Sequence, residues 1–419
     1  MTGLAAPFPL PSLRPWLPAL RDRLLAAFFL ALAFSISFSQ ALLIALLLVV
    51  PWTHARRLWA AAAPLRHHPL TTPFAAFAAL TLLSALVSGD PGGSLWMARD
   101  LARIATFYLV LAYTRDADHA WRLWTGFLVV LTLMAAYGLT QVYLCGGGPG
   151  LVPESWLAEV CPHRSRVSGP FSIYMTFGGV LLLGSLFLAA ALANVPWRPI
   201  WWMVPAGAVT VGALAFTYSR NAWLGLAAGT AGLVVTARRG ARVAVLLAVA
   251  VAVVGALSAG GVMQRARSIL NPEDATIRDR VAMWQSGLAM IGQNPILGVG
   301  PGQVRVWYPH YRRPEAVRLS TGHLHNSPIQ IAAERGLPAL GVWIWLWVTF
   351  FGAAWRVLRR VGRDRPRERA LVSASLWGIV GFLVAGLFEH NFGDGEVVML
   401  VYALMAIPWI VARDLPAEP

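Results

Sequence analysis

The sequence predicts an all-α, polytopic integral membrane protein with about 12 transmembrane helices. Two observations and one physical constraint carry that expectation. Hydrophobic residues make up 57% of the 419-residue chain and charged residues only 13%, about half the charged share of a soluble domain. Apolar runs long enough to span a bilayer recur from end to end. Lipid leaves only helices or a closed barrel as spanning structures, and these runs are too long and continuous for barrel strands.

The first 20 residues are Pro-rich, with Arg14 and then Arg21 and Arg23 close by. No small-residue cleavage site follows the first apolar run, so an uncleaved first helix is expected. Candidate spans lie near 24–38, 40–53, 72–88, 95–113, 121–144, 171–193, 200–218, 221–237, 243–260, 331–355, 370–388 and 396–412. The first two are short for the ~20 residues a span normally uses. The fourth carries Arg99 and Arg103 on one face, which suits an interfacial segment or a cavity wall. No internal repeat of the transporter kind is visible. The expected division is a cytoplasmic tail over 1–23, a bundle of nine spans over 24–260, an outer loop over 261–330, three spans over 331–412 and a cytoplasmic tail over 413–419.

The net charge of +15 is carried by arginine alone, since the chain has no lysine. With the N-terminus inside, the inner loops hold Arg56, Arg57 and Arg66, then Arg238, Arg239 and Arg242, then the run from Arg356 to Arg369, as the positive-inside rule asks. Charge divided between two faces of a membrane does not suit nucleic acid. The Cys145–Pro170 loop, the Ser219-Arg220-Asn221 turn, the 261–330 segment and Glu389 through Glu396 then share the outer side. Cys145 and Cys161 flank one outer loop, either as a disulfide or as free thiols. Asp116-Ala117-Asp118 falls in an inner loop and reads as ordinary surface.

The 261–330 segment breaks the charge rule, because it keeps Arg265, Arg267, Arg278, Arg280, Arg305, Arg312, Arg313 and Arg318 on the outer side. A phosphate-bearing lipid is the partner that would use them. Within it, Thr276-x-x-Asp279 looks like a capping box, and Ile277, Val281, Trp284, Leu288 and Ile291 recur at helical spacing. Arg278 and Arg280 fall in the first turn, where the helix dipole disfavours cations. They either await an anion or pair with Glu273, Asp274 or Asp279. Gly298-Val299-Gly300-Pro301-Gly302 reads as a sharp turn that lets the backbone pass close to another group, not as a nucleotide fingerprint, because no strand precedes it.

Ser327-Pro328-Ile329-Gln330 reads as a helix start with Ser327 as cap. His325 and Asn326 then sit just before a helix N-terminus. That end favours an anion and biases His325 towards its neutral, proton-accepting form. A neutral base beside an anion site is what glycosyl transfer from a lipid phosphate needs. His323 and His325 also form a His-x-His pair, but no carboxylate stands at ligand spacing in the sequence, so no metal is expected. Arg220 either binds that anion or snorkels to the interface.

Several segments resemble the O-antigen ligase family in order and spacing. They are Thr217-Tyr218-Ser219-Arg220-Asn221-Ala222-Trp223, Arg280-x-x-x-Trp284, Asn294 through Gly302, and His323-Leu324-His325-Asn326 with Glu334-Arg335-Gly336. The likeness covers roughly 170–390. One family position departs: where a second glycine follows Gly336 by three residues, this chain has Ala339. The resemblance implies a GT-C-like, inverting, metal- and cofactor-independent glycosyltransferase of a bacterial inner membrane, with a large periplasmic loop carrying short helices. It implies transfer of O-antigen from undecaprenyl diphosphate to the lipid A–core. By that likeness His325 is the general base, Arg220 and Arg280 bind the diphosphate with Arg265 as a third, and Asn326, His323 and Glu389 support them. Two related activities use the same donor, O-antigen polymerase and protein O-oligosaccharyltransferase, and these motifs do not encode the acceptor. A lipid-linked glycan flippase would place charges at mid-span, and most spans here lack them.

Overall fold

The computed structural model describes residues 16–54, 68–145, 166–236 and 274–416, and the regular elements among them are all helical. In chain order the α-helices are α1 (Trp16–Ala31), α2 (Ile36–His54), α3 (Thr71–Val87), α4 (Pro91–Ala98), α5 (Ala105–Tyr113), α6 (Ala117–Cys145) and α7 (Tyr174–Asn194). They continue as α8 (Met203–Phe216), α9 (Arg220–Thr236), α10 (Ala275–Gln293), α11 (Val304–Tyr311), α12 (Ser327–Arg360), α13 (Pro366–Gly386) and α14 (Gly395–Arg413). Among the described residues, α6, α7, α12, α13 and α14 are long and apolar enough to cross a membrane, and α3, α8 and part of α2 are shorter apolar helices. This is the helical architecture of an integral membrane protein. The expected ninth span, Cys161, Arg265 and Arg267 lie outside the described residues, as does the side chain of Cys145.

α13 packs between α7 and α9, and α14 packs against α5, α12 and α13. Gly225, Gly229 and Gly232 form a small-residue stripe on α9. A Cβ at Gly225 would strike the Gly381 carbonyl, and one at Gly232 the Trp377 ring. In lipid, close backbone approach through small residues replaces the hydrophobic drive that water supplies elsewhere.

The stretch expected as a fourth span is not one helix. α4 ends at Ala98, a 3₁₀ segment covers Arg99–Ile104, and α5 follows. Arg99 lies 3.7 Å from the Trp96 ring centre, and Arg103 pairs with Asp100 at 2.9 Å. Two arginines that would be costly in the bilayer centre are partnered where the helix breaks.

α12 breaks at Gly336, whose φ is +83° and ψ 169°. The glycine turn before α11 passes against this break. Val299 and Gly300 donate N–H to the carbonyls of Ala333 and Glu334 at 2.9 Å each, and Leu337 donates to Pro295 at 2.8 Å. The turn thus satisfies backbone groups that the break frees, and Gly298, Gly300 and Gly302 all take positive φ to do it. The close approach read from the glycines is therefore to another part of the chain. A Cβ on Gly336 would run into the Ile296 carbonyl. Gly336→Ala is expected to cost on the order of 2 kcal/mol or more, because its conformation is essentially glycine-only. A thermal midpoint in detergent equal to wild type would show that the turn yields instead.

Two caps differ from expectation by where the chain turns. Asp274, not Thr276, caps α10, accepting from the N–H groups of Thr276 and Ile277. Asn326, not Ser327, caps α12, accepting from Ile329 N–H at 2.9 Å. Gln330 instead accepts from Leu324 N–H at 2.8 Å and tethers the residues before the helix. The packed face of α10 also differs from the apolar stripe read in the sequence. Ala282, Met283, Ser286, Gly287 and Met290 are buried, while Val281 and Leu288 are exposed.

Candidate functional site

A cavity of about 240 Å³ opens where the N-termini of α7 and α9 meet α10 and the strap 312–326. It has room for a group of diphosphate size. Its wall holds Arg166, Tyr218, Arg220, Arg280, Arg318 and His325, with His323 and Asp279. Segments expected to share one side of the membrane do converge here, with Glu389 of the α13–α14 connection directly behind. The Arg356–Arg369 loop is at the other end of α14, where Arg365 donates to the Asp414 carbonyl at 2.8 Å.

Local chain geometry places each group. Arg220 is the first residue of α9, and the turn before it puts Tyr218 at φ 53°. The Trp223 indole donates to the Leu214 carbonyl at 3.1 Å and ties α9 to α8. Arg220 is buried, 3.5 Å from Asp274, so the residue that caps α10 also meets this guanidinium. Of the two first-turn arginines in α10, Arg278 faces outward and Arg280 faces the cavity. His325 takes φ 49°. Tyr218 and His325 are the non-glycine residues with positive φ among the described residues, and both line this cavity. Such strain persists where surrounding contacts overdetermine it. Here Asn326 donates to the Leu387 carbonyl at 2.8 Å as well as capping α12. Asn326 thus anchors the strap and does not line the cavity.

His325 is buried, with Nδ1 2.8 Å from Glu389 Oε2 and 2.9 Å from Oε1. Its Nε2 lies 3.3 Å from Arg318 Nη1. A guanidinium has donors only, so Nε2 accepts and Nδ1 carries the proton towards the carboxylate. This is the tautomer a base needs if its lone pair is to face the cavity. Glu389 also meets Arg280 at 3.4 Å and His323 at 3.5 Å. Burial pushes the Glu389 carboxyl up, but the hydrogen bond from His325 and the charge of Arg280 work against it, and the carboxyl is held at about 2. Glu389 is therefore ionised near neutral pH. Burial pushes His323 down to about 4 against the pull of Glu389. Burial also pushes His390 down to about 3. His390 faces a second, smaller cavity beside Arg103 and Arg335. Arg166, Arg220, Arg280 and Arg318 supply permanent positive charge on the wall of the first cavity.

His323, His325 and Glu389 each place one donor atom within 4.8 Å of the others, a set that a divalent cation could use. The carboxylate that the sequence spacing did not offer arrives from the α13–α14 connection. The guanidinium groups of Arg166, Arg220, Arg280 and Arg318 on the same wall disfavour a cation and suit phosphate oxygens.

The cavity thus joins Arg220, Arg280, His323 and His325, with Glu389 touching both histidines, while Arg265 lies outside the described residues. Reading the sequence did not single out Arg166, whose guanidinium lies 4.3 Å from the Tyr174 ring centre. It also gave no reason to prefer Arg318 among eight arginines, and it offered Asp274 and Asp279 as partners of Arg278 or Arg280, whereas Asp274 meets Arg220, Asp279 meets Arg318 and Arg280 meets Glu389. Asp279 accepts from Val317 and Arg318 N–H at 3.0 and 3.1 Å, a strap contact with no local signal. A sequence model of the O-antigen ligase family matches residues 205–344. No curated protein matches the chain.

Proposed function

We propose, from the match of residues 205–344 to the O-antigen ligase family, that the chain is a member of that superfamily and transfers O-antigen from undecaprenyl diphosphate to the lipid A–core at the periplasmic face of a bacterial inner membrane. The observation that carries this reading is the buried His325–Glu389 contact of 2.8 Å on the wall that also holds Arg220 and Arg280.

His325 Nε2 takes the proton of the acceptor hydroxyl. The hydroxyl oxygen attacks the anomeric carbon from the face opposite the diphosphate. The bond from that carbon to the diphosphate oxygen breaks, and undecaprenyl diphosphate leaves with the electron pair. One displacement inverts the anomeric centre. Arg220 and Arg280 neutralise the leaving charge, with Arg265 as a third candidate, and arginine forks do so without a divalent ion. Glu389 holds the imidazole in its accepting tautomer. In this reading 261–330 is the periplasmic catalytic segment and both termini are cytoplasmic.

The test is transfer by purified protein from undecaprenyl-diphosphate-linked glycan, with chelator, to lipid A–core, to a growing glycan or to a protein acceptor. Chelator-resistant transfer to lipid A–core is expected. Transfer only to one of the other acceptors would reassign the enzyme to the polymerase or the protein-glycosylating activity. Loss with chelator that zinc restores would assign the His323–His325–Glu389 set to a metal. In the same assay Arg280→Lys is expected to lose at least about tenfold, because one point charge cannot reproduce a bidentate contact. Full activity in that variant would reduce Arg280 to a generic charge.

A further inference from the structure

Arg318 contacts the nitrogen that the proposed chemistry needs. Its Nη1 lies 3.3 Å from His325 Nε2, so the lone pair that would receive the acceptor proton is already engaged. The backbone at Arg318 is pinned by buried Asp279, but its side chain is 53% exposed and meets Asp279 Oδ2 at 3.3 Å. The backbone is thus fixed while the guanidinium has room to turn. It faces the same cavity as Arg220 and Arg280. A guanidinium bonds phosphate oxygens, with charge on both sides, more strongly than it bonds a neutral imidazole.

We propose that Arg318 is a displaceable cover on the base, which occupies His325 Nε2 before donor binds and turns to the diphosphate oxygens when donor arrives. The proposal rests on the ligase reading of this cavity. Its consequence is order: the base becomes available only beside an activated sugar. A hydroxyl or water that enters first meets an imidazole whose lone pair is taken. Arg318 then serves twice, first as a guard on the base and then as a further ligand for the diphosphate. Asp279 holds the strap backbone through Oδ1 and meets the guanidinium Nε through Oδ2, so it tethers Arg318 within reach of both positions.

The test needs neither acceptor nor glycan. Full-length protein in liposomes is treated with diethyl pyrocarbonate, which acylates the free nitrogen of neutral imidazole, and labelling of His325 is followed by peptide mass spectrometry. Arg318→Gln is expected to label at His325 about five- to tenfold faster than wild type, the worth of one hydrogen bond at Nε2. Arg318→Lys, which keeps one charged donor, is expected to restore much of the protection. Inorganic pyrophosphate is expected to speed labelling of wild type and not of Arg318→Gln. Equal rates in wild type and Arg318→Gln would overturn the cover. Faster labelling in Arg318→Gln with pyrophosphate slowing wild type would also overturn it, since Arg318 would then be a fixed shield. The two readings fail separately. The labelling pattern without transfer to lipid A–core removes the ligase reading alone, whereas His325-dependent transfer with equal labelling removes the cover alone.

Discussion

His325→Ala is expected to leave the protein folded in the membrane and to cut transfer by about 10²–10⁴-fold, the usual worth of a positioned base. The imidazole is buried and bonded on both nitrogens, so it has a defined orientation before any substrate arrives. Its backbone is left-handed, at φ 49°, which alanine tolerates less well than asparagine. His325→Asn is therefore the companion variant: it suits the backbone and lacks a base of the same strength. Both variants should show wild-type amounts in the membrane and normal retention on size exclusion. Near-normal transfer by either, measured with purified enzyme and both lipids intact, would remove His325 from the chemistry.

Glu389→Gln is expected to cost on the order of 10²–10³-fold in kcat with a smaller change in KM. An amide can present its N–H to Nδ1, which turns the imidazole lone pair away from the cavity; a carboxylate cannot. The comparable exchange in serine proteases costs about 10⁴-fold, and the loss here is expected to fall below that. Arg280 loses its carboxylate partner in the same variant, so part of the loss will appear in donor binding. The carboxyl is held at about 2 against an ordinary 4.5. A depressed carboxyl stabilises the fold above its ordinary value, and that contribution fades as pH falls towards 2. Wild type is thus expected to unfold more readily in acid than at neutrality, and Glu389→Gln to show a shallower acid dependence of its thermal midpoint. Parallel acid curves for the two proteins would mean that Glu389 carries no such charge.

The composition and the length of the apolar runs made the helical membrane class readable, because both depend only on local sequence and on the cost of bare backbone in lipid. The loop arginines pointed to an anion partner, because arginine kept against the positive-inside preference needs a reason, and four arginines do share one cavity wall. The order of short motifs pointed to the family and to Arg220, Arg280 and His325. Local signals were less reliable at boundaries. Asp274 and Asn326 took the caps expected of Thr276 and Ser327, since the cap belongs to whichever side chain the incoming chain aims at the free N–H groups. The fourth span broke at Arg99–Ile104, where its arginines find partners.

What depended on the tertiary structure was the pairing of groups far apart in the chain. Glu389 and His325 stand 64 residues apart in sequence and 2.8 Å apart in space. Nothing periodic links them; the packing of α13 and α14 against α12 does. The same holds for Arg318, chosen from eight loop arginines by the path of a strap that Asp279 pins from α10. A sequence displays charge, hydrophobicity and period along one dimension, which was enough for the class of fold and for a histidine near arginines. Which carboxylate bonds that histidine, and which arginine meets its other nitrogen, are contacts between segments, decided only when the helices pack.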